Sequence, residues 1–525
     1  MNLAKLQENN VKEHGEYVSL IVEGKEYTNV QMHQLSNQVA NGLKSIGLKH
    51  QDRVIVSMPN RIEVMTSYSG IWKAGGIVTP IIFLLQEDEI RHILSDCHPR
   101  FIITSNELLP KIKEAAKGIE SVEKIIVAGA IDEKEKTEKT YAFDEFMKQS
   151  AEFEIVDMKE DELSVILYTS GTTGKPKGVM LTHSNLHDNV LNLKRTREKY
   201  EVDFADGKVL SCLPLAHAYG LFLMAGGWMG KGTGIIMSWF DPEEVLKKIQ
   251  EHKVDAFPGV PTMLIYLLNH PTADKYDTSS VRVWASAAAP LPQEVKDAFE
   301  KKFGGKILQG YGLTESTAAT CITPPDMPPH PANCVGKPID NVFVKIVDEN
   351  EKECPRVKAA DIKNPPEECI GEIAINGKGV MKGYYNMPED TAKVLHDGWL
   401  RSGDVGFVDE EEYVYIAERK RDLIIRGGLN IYPKDVEEAL AKHPKVMEAA
   451  VVGVPDPLYV EDVKAFVVLK MGEKVTEQEL LEFCQQKLAK YKCPKSIEFR
   501  AYLPKNPLGK IMKKVLREEE KAKQV

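Results

Sequence analysis

From residue 53 onward, short apolar runs alternate with stretches of helical period. Arg53–Met58 reads as a strand, Arg61–Ala74 as a helix, Gly76–Ile81 as a strand, Gln86–Asp96 as a helix and Arg100–Thr104 as a strand. Runs of this length, separated by helical patterns, predict parallel sheet joined by crossover helices. The alternation returns further on. Lys208–Leu213 precedes a helix near 217–229, and Val281–Ser286 precedes another from Pro292 to Phe303. Asp241, followed by Pro242, Glu243 and Glu244, has the signature of a helix start: a capping side chain, a first-turn proline and early acids. The most apolar long window, Leu213–Met237, is interrupted by His217, Lys231 and Gly220, Gly226, Gly227, Gly230 and Gly232. A membrane span wants about 20 predominantly apolar residues, so this window predicts a buried helix and strand.

The pattern changes after Arg419. Strand-like Met447–Val454 and Val463–Lys470 are interleaved with helices Pro433–His443 and Thr476–Lys490, a compact α+β unit. The join near 417–422 is charged, with neither Gly nor Pro. The chain therefore divides into a large unit over 1–420 and a small one over 421–525. Segments 321–338 and 351–369 are rich in proline and charge and predict surface loops, and no internal repeat stands out. The fold class is α/β: stacked mixed or parallel sheets with crossover helices, plus a small α+β domain.

Composition narrows the function. The 525 residues are 43% apolar, which excludes general disorder, and Lys+Arg 68 against Asp+Glu 78 leaves a net charge of −10. Non-specific nucleic-acid binding is thereby disfavoured, although a local pocket can still take an anion. The N-terminus lacks a basic segment followed by an apolar core, so a secretory signal is not expected. Eight scattered cysteines with no CxxC spacing argue against structural zinc and a disulfide framework. Reduced thiols and a cytoplasmic location fit them.

The sharpest chemical signal runs from Tyr168 to His183. It follows the apolar run Leu163–Leu167, and hydroxyl residues (Thr169, Ser170, Thr172, Thr173), glycines (Gly171, Gly174, Gly178) and lysines (Lys175, Lys177) crowd the ten positions 169–178. Glycines let backbone N–H groups approach an anion, hydroxyls donate hydrogen bonds and lysines supply charge, which is chemistry for cradling phosphate. The string is not a P-loop, because Lys175 is followed by proline instead of Ser or Thr.

This string resembles the signature of the adenylate-forming superfamily, which includes acyl-CoA synthetases, firefly-type luciferases and peptide-synthetase adenylation domains. Further motifs follow in that family's order: Gly310–Glu315 (GYGLTE), Arg401–Asp404 (RSGD), Arg419–Gly428 (RKRDLIIRGG) and Pro504–Lys510 (PKNPLGK). The similarity spans nearly the whole chain and is greatest to bacterial medium- and long-chain fatty-acid–CoA ligases. It implies activation of a carboxylic acid as acyl-AMP, with release of pyrophosphate, and transfer of the acyl group to CoA.

The roles that the resemblance implies suit the chemistry. A carboxylate and a polyphosphate must meet although both are negative; at roughly 4 Å and an effective dielectric of about 20, one unit-charge pair is worth about 4 kcal/mol. Lys510 would bridge the carboxylate and the α-phosphate as the catalytic lysine. Glu315 would hold Mg²⁺ on the phosphates with Thr169, and Mg²⁺ needs few protein ligands. Thr169, Ser170, Gly171, Thr172, Thr173, Gly174 and Lys177 would cradle the phosphates, with Thr314 from the second motif. Tyr311 would stack on adenine, with Gly310 and Gly312 giving clearance and Ala288 bordering the base. Asp404 would accept from the ribose hydroxyls, and Arg419 would add a second ribose contact.

The acyl pocket implied by the resemblance involves His217, Gly220, Gly259, Ala287 and Ala288, with His217 shaping it and not acting as a general base. Arg421 occupies the hinge position about which the small domain would swing, and Gly427 and Gly428 would admit the pantetheine arm of CoA. The small apolar wall, which also includes Ala218, Leu221, Ala225, Gly226, Gly227 and Ala285, suits an alkyl chain at about 0.8 kcal/mol per buried methylene. Aryl or other carboxylic acids are the alternative substrates. An adenylate-only ligase stays open because the loop 349–370 looks long. A peptide-synthetase domain, a light-emitting oxygenase and a retired scaffold are weaker readings, the last because Lys510, Glu315 and Asp404 are all present. The partners implied are small molecules: the acid, ATP and CoA. No nucleic acid and no integral membrane segment are expected; peripheral membrane association and a homodimer are both compatible.

Overall fold

The computed structural model describes residues 2–169, 176–201, 206–328, 330–331, 333–419, 422–426, 429–456, 459–506 and 509–523. The predicted alternation is present: strand Arg53–Ser57, helix Ile62–Lys73, strand Ile77–Pro80, helix Glu87–Cys97 and strand Phe101–Ser105. These strands pair in parallel with Leu163–Thr169, Lys124–Ala128 and Thr140–Ala142. Antiparallel Lys177–Thr182 and Gly383–Tyr384 extend that sheet to eight strands. A second sheet of nine strands runs parallel from Lys306–Tyr311 through Val283–Ser286, Ala256–Gly259, Lys208–Ser211 and Thr233–Ile236 to Val18–Val22. The window Leu213–Met237 yields helix Ala218–Gly227 and strand Thr233–Ile236, as its pattern predicts. Asp241 caps helix Pro242–His252, its carboxylate accepting from the Glu244 N–H at 2.9 Å.

The helix Ile62–Lys73 is buried on every side from Val64 onward, which is why its sequence lacks a polar face. Its last residue, Lys73, is fully buried. The ammonium donates to Ser36 Oγ (2.9 Å), Asn37 Oδ1 (2.8 Å) and the His33 carbonyl (3.0 Å), with His33 Nδ1 at 3.1 Å. Burial drives its pKa well below that of a free lysine.

A third, antiparallel sheet contains Val342–Val347, Gly371–Gly377, Leu395–His396, Trp399–Val408 and Val414–Arg419. The segments read as surface loops are more integrated than proline and charge suggested. Cys321–Ile322 and Lys337–Pro338 pair at the edge of the second sheet, and Cys334, Val357 and Cys369 are buried against Phe407 and Tyr415. A separate small sheet follows, with Ile424–Arg426, Leu429–Ile431, Val446–Asp456, Val460–Leu469 and Ser496–Phe499; helices Pro433–Ala441 and Glu477–Lys487 pack in one apolar cluster with it and Lys513–Ala522 in another. The protein is thus α/β with a large sheet-rich N-terminal part and a smaller C-terminal domain. Among the described residues, no helix is long and apolar enough to cross a membrane.

Candidate active site

Strands Leu163–Thr169 and Lys177–Thr182 form a hairpin in which Thr169 sits opposite Lys177. The intervening Ser170, Gly171, Thr172, Thr173 and Gly174 lie outside the described residues, as do Arg421, Gly427, Gly428 and the side chain of Arg419. The ammonium of Lys177 meets Asp390 Oδ2 at 2.6 Å and lies 5.1 Å from the centre of the Tyr384 ring. The Tyr384 hydroxyl donates to Glu315 Oε1 at 3.0 Å. One tyrosine therefore joins the hairpin to Glu315, and its phenol is raised by burial and then by the Glu315 charge. Glu315 is half-buried on the single turn Thr314–Ser316, which packs beside Lys177–Thr182. Among the described residues no cation pairs with its carboxylate. Its carboxylate, like the Thr169 hydroxyl, offers the oxygen donors that a hard divalent cation takes.

The third motif meets the second through a buried hydrogen bond. Tyr311 ends the strand Lys306–Tyr311, and its hydroxyl donates to Asp404 Oδ2 at 2.8 Å, with Asp404 only 3% exposed. Ser402 Oγ accepts from the Asp404 N–H at 3.1 Å, and Arg419 lies opposite Asp404 in the neighbouring strand. The glycines flanking Tyr311 differ from the expected clearance for a base. A Cβ on Gly312 would fall 1.7 Å from the Ala318 carbonyl, so this glycine admits backbone. A Cβ on Gly310 would only touch Ala287 at 3.5 Å.

That contact brings Ala287 beside Gly310, and the Ala287 N–H donates to the Gly259 carbonyl at 3.3 Å. Ala288 adopts φ 69°, a left-handed conformation costing a non-glycine residue about 1–3 kcal/mol. His217 caps helix Ala218–Gly227, its Nδ1 accepting from the Tyr219 N–H at 3.2 Å, which leaves the ring proton on Nε2. Gly220 is small for a local reason, since a Cβ there would lie 2.3 Å from the Pro214 carbonyl. Leu221 and Ala225, expected on the pocket wall, are fully buried in the core. The His217 loop is fixed by Asn60: its Nδ2 donates to the carbonyls of Leu213 (2.8 Å) and Met237 (3.2 Å), and its Oδ1 accepts from the Leu215 N–H (2.9 Å).

Lys510 reaches this region from the small domain. It closes a turn in which the Lys510 N–H donates to Asn506 Oδ1 at 2.9 Å and the Asn506 N–H returns to the Lys510 carbonyl at 2.8 Å. Thr262 Oγ1, on helix Pro261–Leu268 of the large domain, donates to the Gly509 carbonyl at 2.8 Å. Burial, and then the positive charge of Lys510, pushes His217 down to about 4. The imidazole is therefore neutral near pH 7.

Sequence reasoning did not single out Tyr384, Asp390, Asn60 or Thr262. Tyr384 stands 69 residues beyond Glu315, and Asn60 is 153 from Leu213, so no local pattern links either pair.

Residues 7–385 match the AMP-binding enzyme family and residues 435–510 the AMP-binding enzyme C-terminal domain. A long-chain-fatty-acid–CoA ligase of Bacillus subtilis is 40% identical over 510 residues, 92% of this chain and 88% of that protein. A feruloyl-CoA synthase of Amycolatopsis is 35% identical, over 91% of this chain and 90% of its own length. Among solved structures, the anthranilate CoA ligase AuaEII in complex with anthranoyl-AMP superposes with a TM-score of 0.90 at 26% identity, covering 100% of this chain and 98% of that one. With both family segments matched in order and the architecture shared, the chain belongs to the adenylate-forming superfamily of AMP-binding enzymes, among its acid–CoA ligases.

Proposed function

We propose that the protein activates a medium- or long-chain fatty acid in two steps, acyl-AMP formation from ATP and thioester formation with CoA, in the cytoplasm. In the first step the acid's carboxylate attacks the α-phosphate and pyrophosphate leaves. In the second the CoA thiol, losing its proton, displaces AMP from the acyl carbonyl. The observation that carries the reading is the Lys510 turn, docked on the large domain through the Thr262 hydroxyl and the Gly509 carbonyl. There Lys510 neutralises two oxyanions that otherwise repel. His217 stays neutral and shapes the acyl end with Gly259, Ala287 and Ala288. Tyr311 and Asp404 present a ring and an acceptor to adenosine, with Arg419 opposite. The loop Ser170–Gly174 and Lys177 serve the phosphates.

Glu315 and Thr169 would hold Mg²⁺, which when bound offsets phosphate charge. In this reading residues 1–420 form the adenylation domain and 421–525 a lid that turns about Arg421, bringing Gly427 and Gly428 to the CoA arm. The chain-length assignment draws support from the apolar surroundings of His217 and from the name of the Bacillus relative, a long-chain-fatty-acid–CoA ligase. The name of the Amycolatopsis relative supports the aryl alternative. Pyrophosphate release measured against straight-chain and aromatic acids, with and without CoA, tests the proposal. Release with long straight-chain acids and a thioester product are expected. Release with aromatic acids alone overturns the fatty-acid reading, and adenylate without thioester overturns the ligase reading.

A further inference from the structure

The small domain touches the large one at several points, but the contacts differ in kind. Lys442 and Glu294 stand 3.6 Å apart as a surface pair, half-exposed and screened by solvent. Lys505 lies 5.0 Å from the Tyr266 ring centre while its ammonium is already held by the buried Glu448 at 2.7 Å in its own domain. The Thr262 hydroxyl acts on the backbone carbonyl next to Lys510. That carbonyl belongs to Gly509, whose φ of 76° is left-handed, and a Cβ there would meet the Thr262 Cβ at 3.4 Å. Asn506 and Lys510 are hydrogen-bonded to each other, and Lys505 beside them reaches the Tyr266 hydroxyl at 3.4 Å on the same helix as Thr262.

We propose that Thr262 is a positioning residue for acyl-adenylate formation: its hydroxyl latches the Gly509 carbonyl and so holds Lys510 in the pose for the first step, releasing it for the second. This inference rests on the role proposed above for Lys510. A latch made in only one arrangement of the domains favours that arrangement by the strength of its own contact, and the other arrangement never feels it. Losing one neutral hydrogen bond then costs the first step about three- to tenfold and leaves the second untouched.

The test uses the full chain and the acid that gives the fastest ATP–pyrophosphate exchange in the unchanged protein. Thr262→Val keeps the branched shape and removes the hydroxyl; Thr262→Ser keeps the hydroxyl and removes the methyl. The expected result is exchange lowered about three- to tenfold in T262V and held within about twofold in T262S. Thioester formation from the synthetic acyl-AMP of the same acid should be unchanged in both. Unaltered exchange in T262V, an equal fall in both steps, or a T262S protein as impaired as T262V each overturns the latch. Lys510→Ala, run alongside, separates the two claims. Full exchange in K510A removes the role of Lys510 and the latch with it, whereas loss in K510A with none in T262V removes the latch alone.

Discussion

The Tyr311–Asp404 pair and the lysine turn are built by opposite strategies. Tyr311 and Asp404 come from two different sheets of the large domain, both are buried, and their hydrogen bond is already made. Lys510 is half-buried, comes from the other domain and follows Gly509, whose carbonyl accepts from the Thr262 hydroxyl. The first arrangement is rigid because moving either residue would expose core; the second is held across the domains by side-chain contacts such as those of Thr262 and Tyr266. A binding surface gains from being preorganised, since ordering it on arrival of the ligand would weaken binding. In the proposed reading Lys510 serves only the first of two steps, and such a group gains from being removable.

The largest expected effect breaks this contrast directly. Lys510→Ala should cut acid-dependent pyrophosphate exchange by about 10²–10³, the scale of losing a charge placed where the transition state needs it. Thioester formation from supplied acyl-AMP should survive. Equal loss of both steps would make the turn part of the rigid set. Asp404→Asn comes next. Removing the charge from a buried acceptor should raise the KM for ATP about tenfold or more, on the scale of charged hydrogen bonds, and leave the KM for the acid unchanged. Asn60→Ala should act on the acid side. It strips partners from two carbonyls and one N–H, so a loss of about 1–3 kcal/mol in stability is expected. A raised KM for the acid with an unchanged KM for ATP should accompany it; a stability loss alone would confine Asn60 to structure.

Much of this was legible in the sequence because it is local or periodic. The parallel alternation from Arg53 to Ser105, the cap at Asp241 and the five ordered motifs each need only a short window. What joins the motifs was not legible. Tyr384 links Lys177 to Glu315, and Asn60 links Leu213 to Met237, through contacts that exist only once two sheets are stacked. Small residues also carry local demands that a sequence does not show: a Cβ on Gly312 or Gly220 would meet a backbone carbonyl. Composition misled around Cys334 and Cys369, where proline and charge conceal buried side chains.

The smallest effect separates the two regions by titration. His183 is pushed down to about 3, chiefly by burial, and its Nδ1 accepts from the Leu3 N–H deep in the large domain. His217, down to about 4, owes part of its shift to the Lys510 charge. Both values lie below the unfolded 6.5, so between pH 6.5 and their folded values the unfolded chain binds more protons than the folded one. The stability these neutral rings contribute is complete above pH 6.5 and is lost as pH falls toward 4 and then 3. Unfolding measured across that range should show stability decreasing on acidification. Followed by imidazole NMR, the Lys510→Ala protein should titrate His217 at a higher pH than the unchanged protein, still below 6.5 because burial persists, with His183 unmoved. A His217 that ignores the substitution would mean that its environment is set wholly by the rigid domain, and the docked turn would lose the mark by which it is recognised in solution.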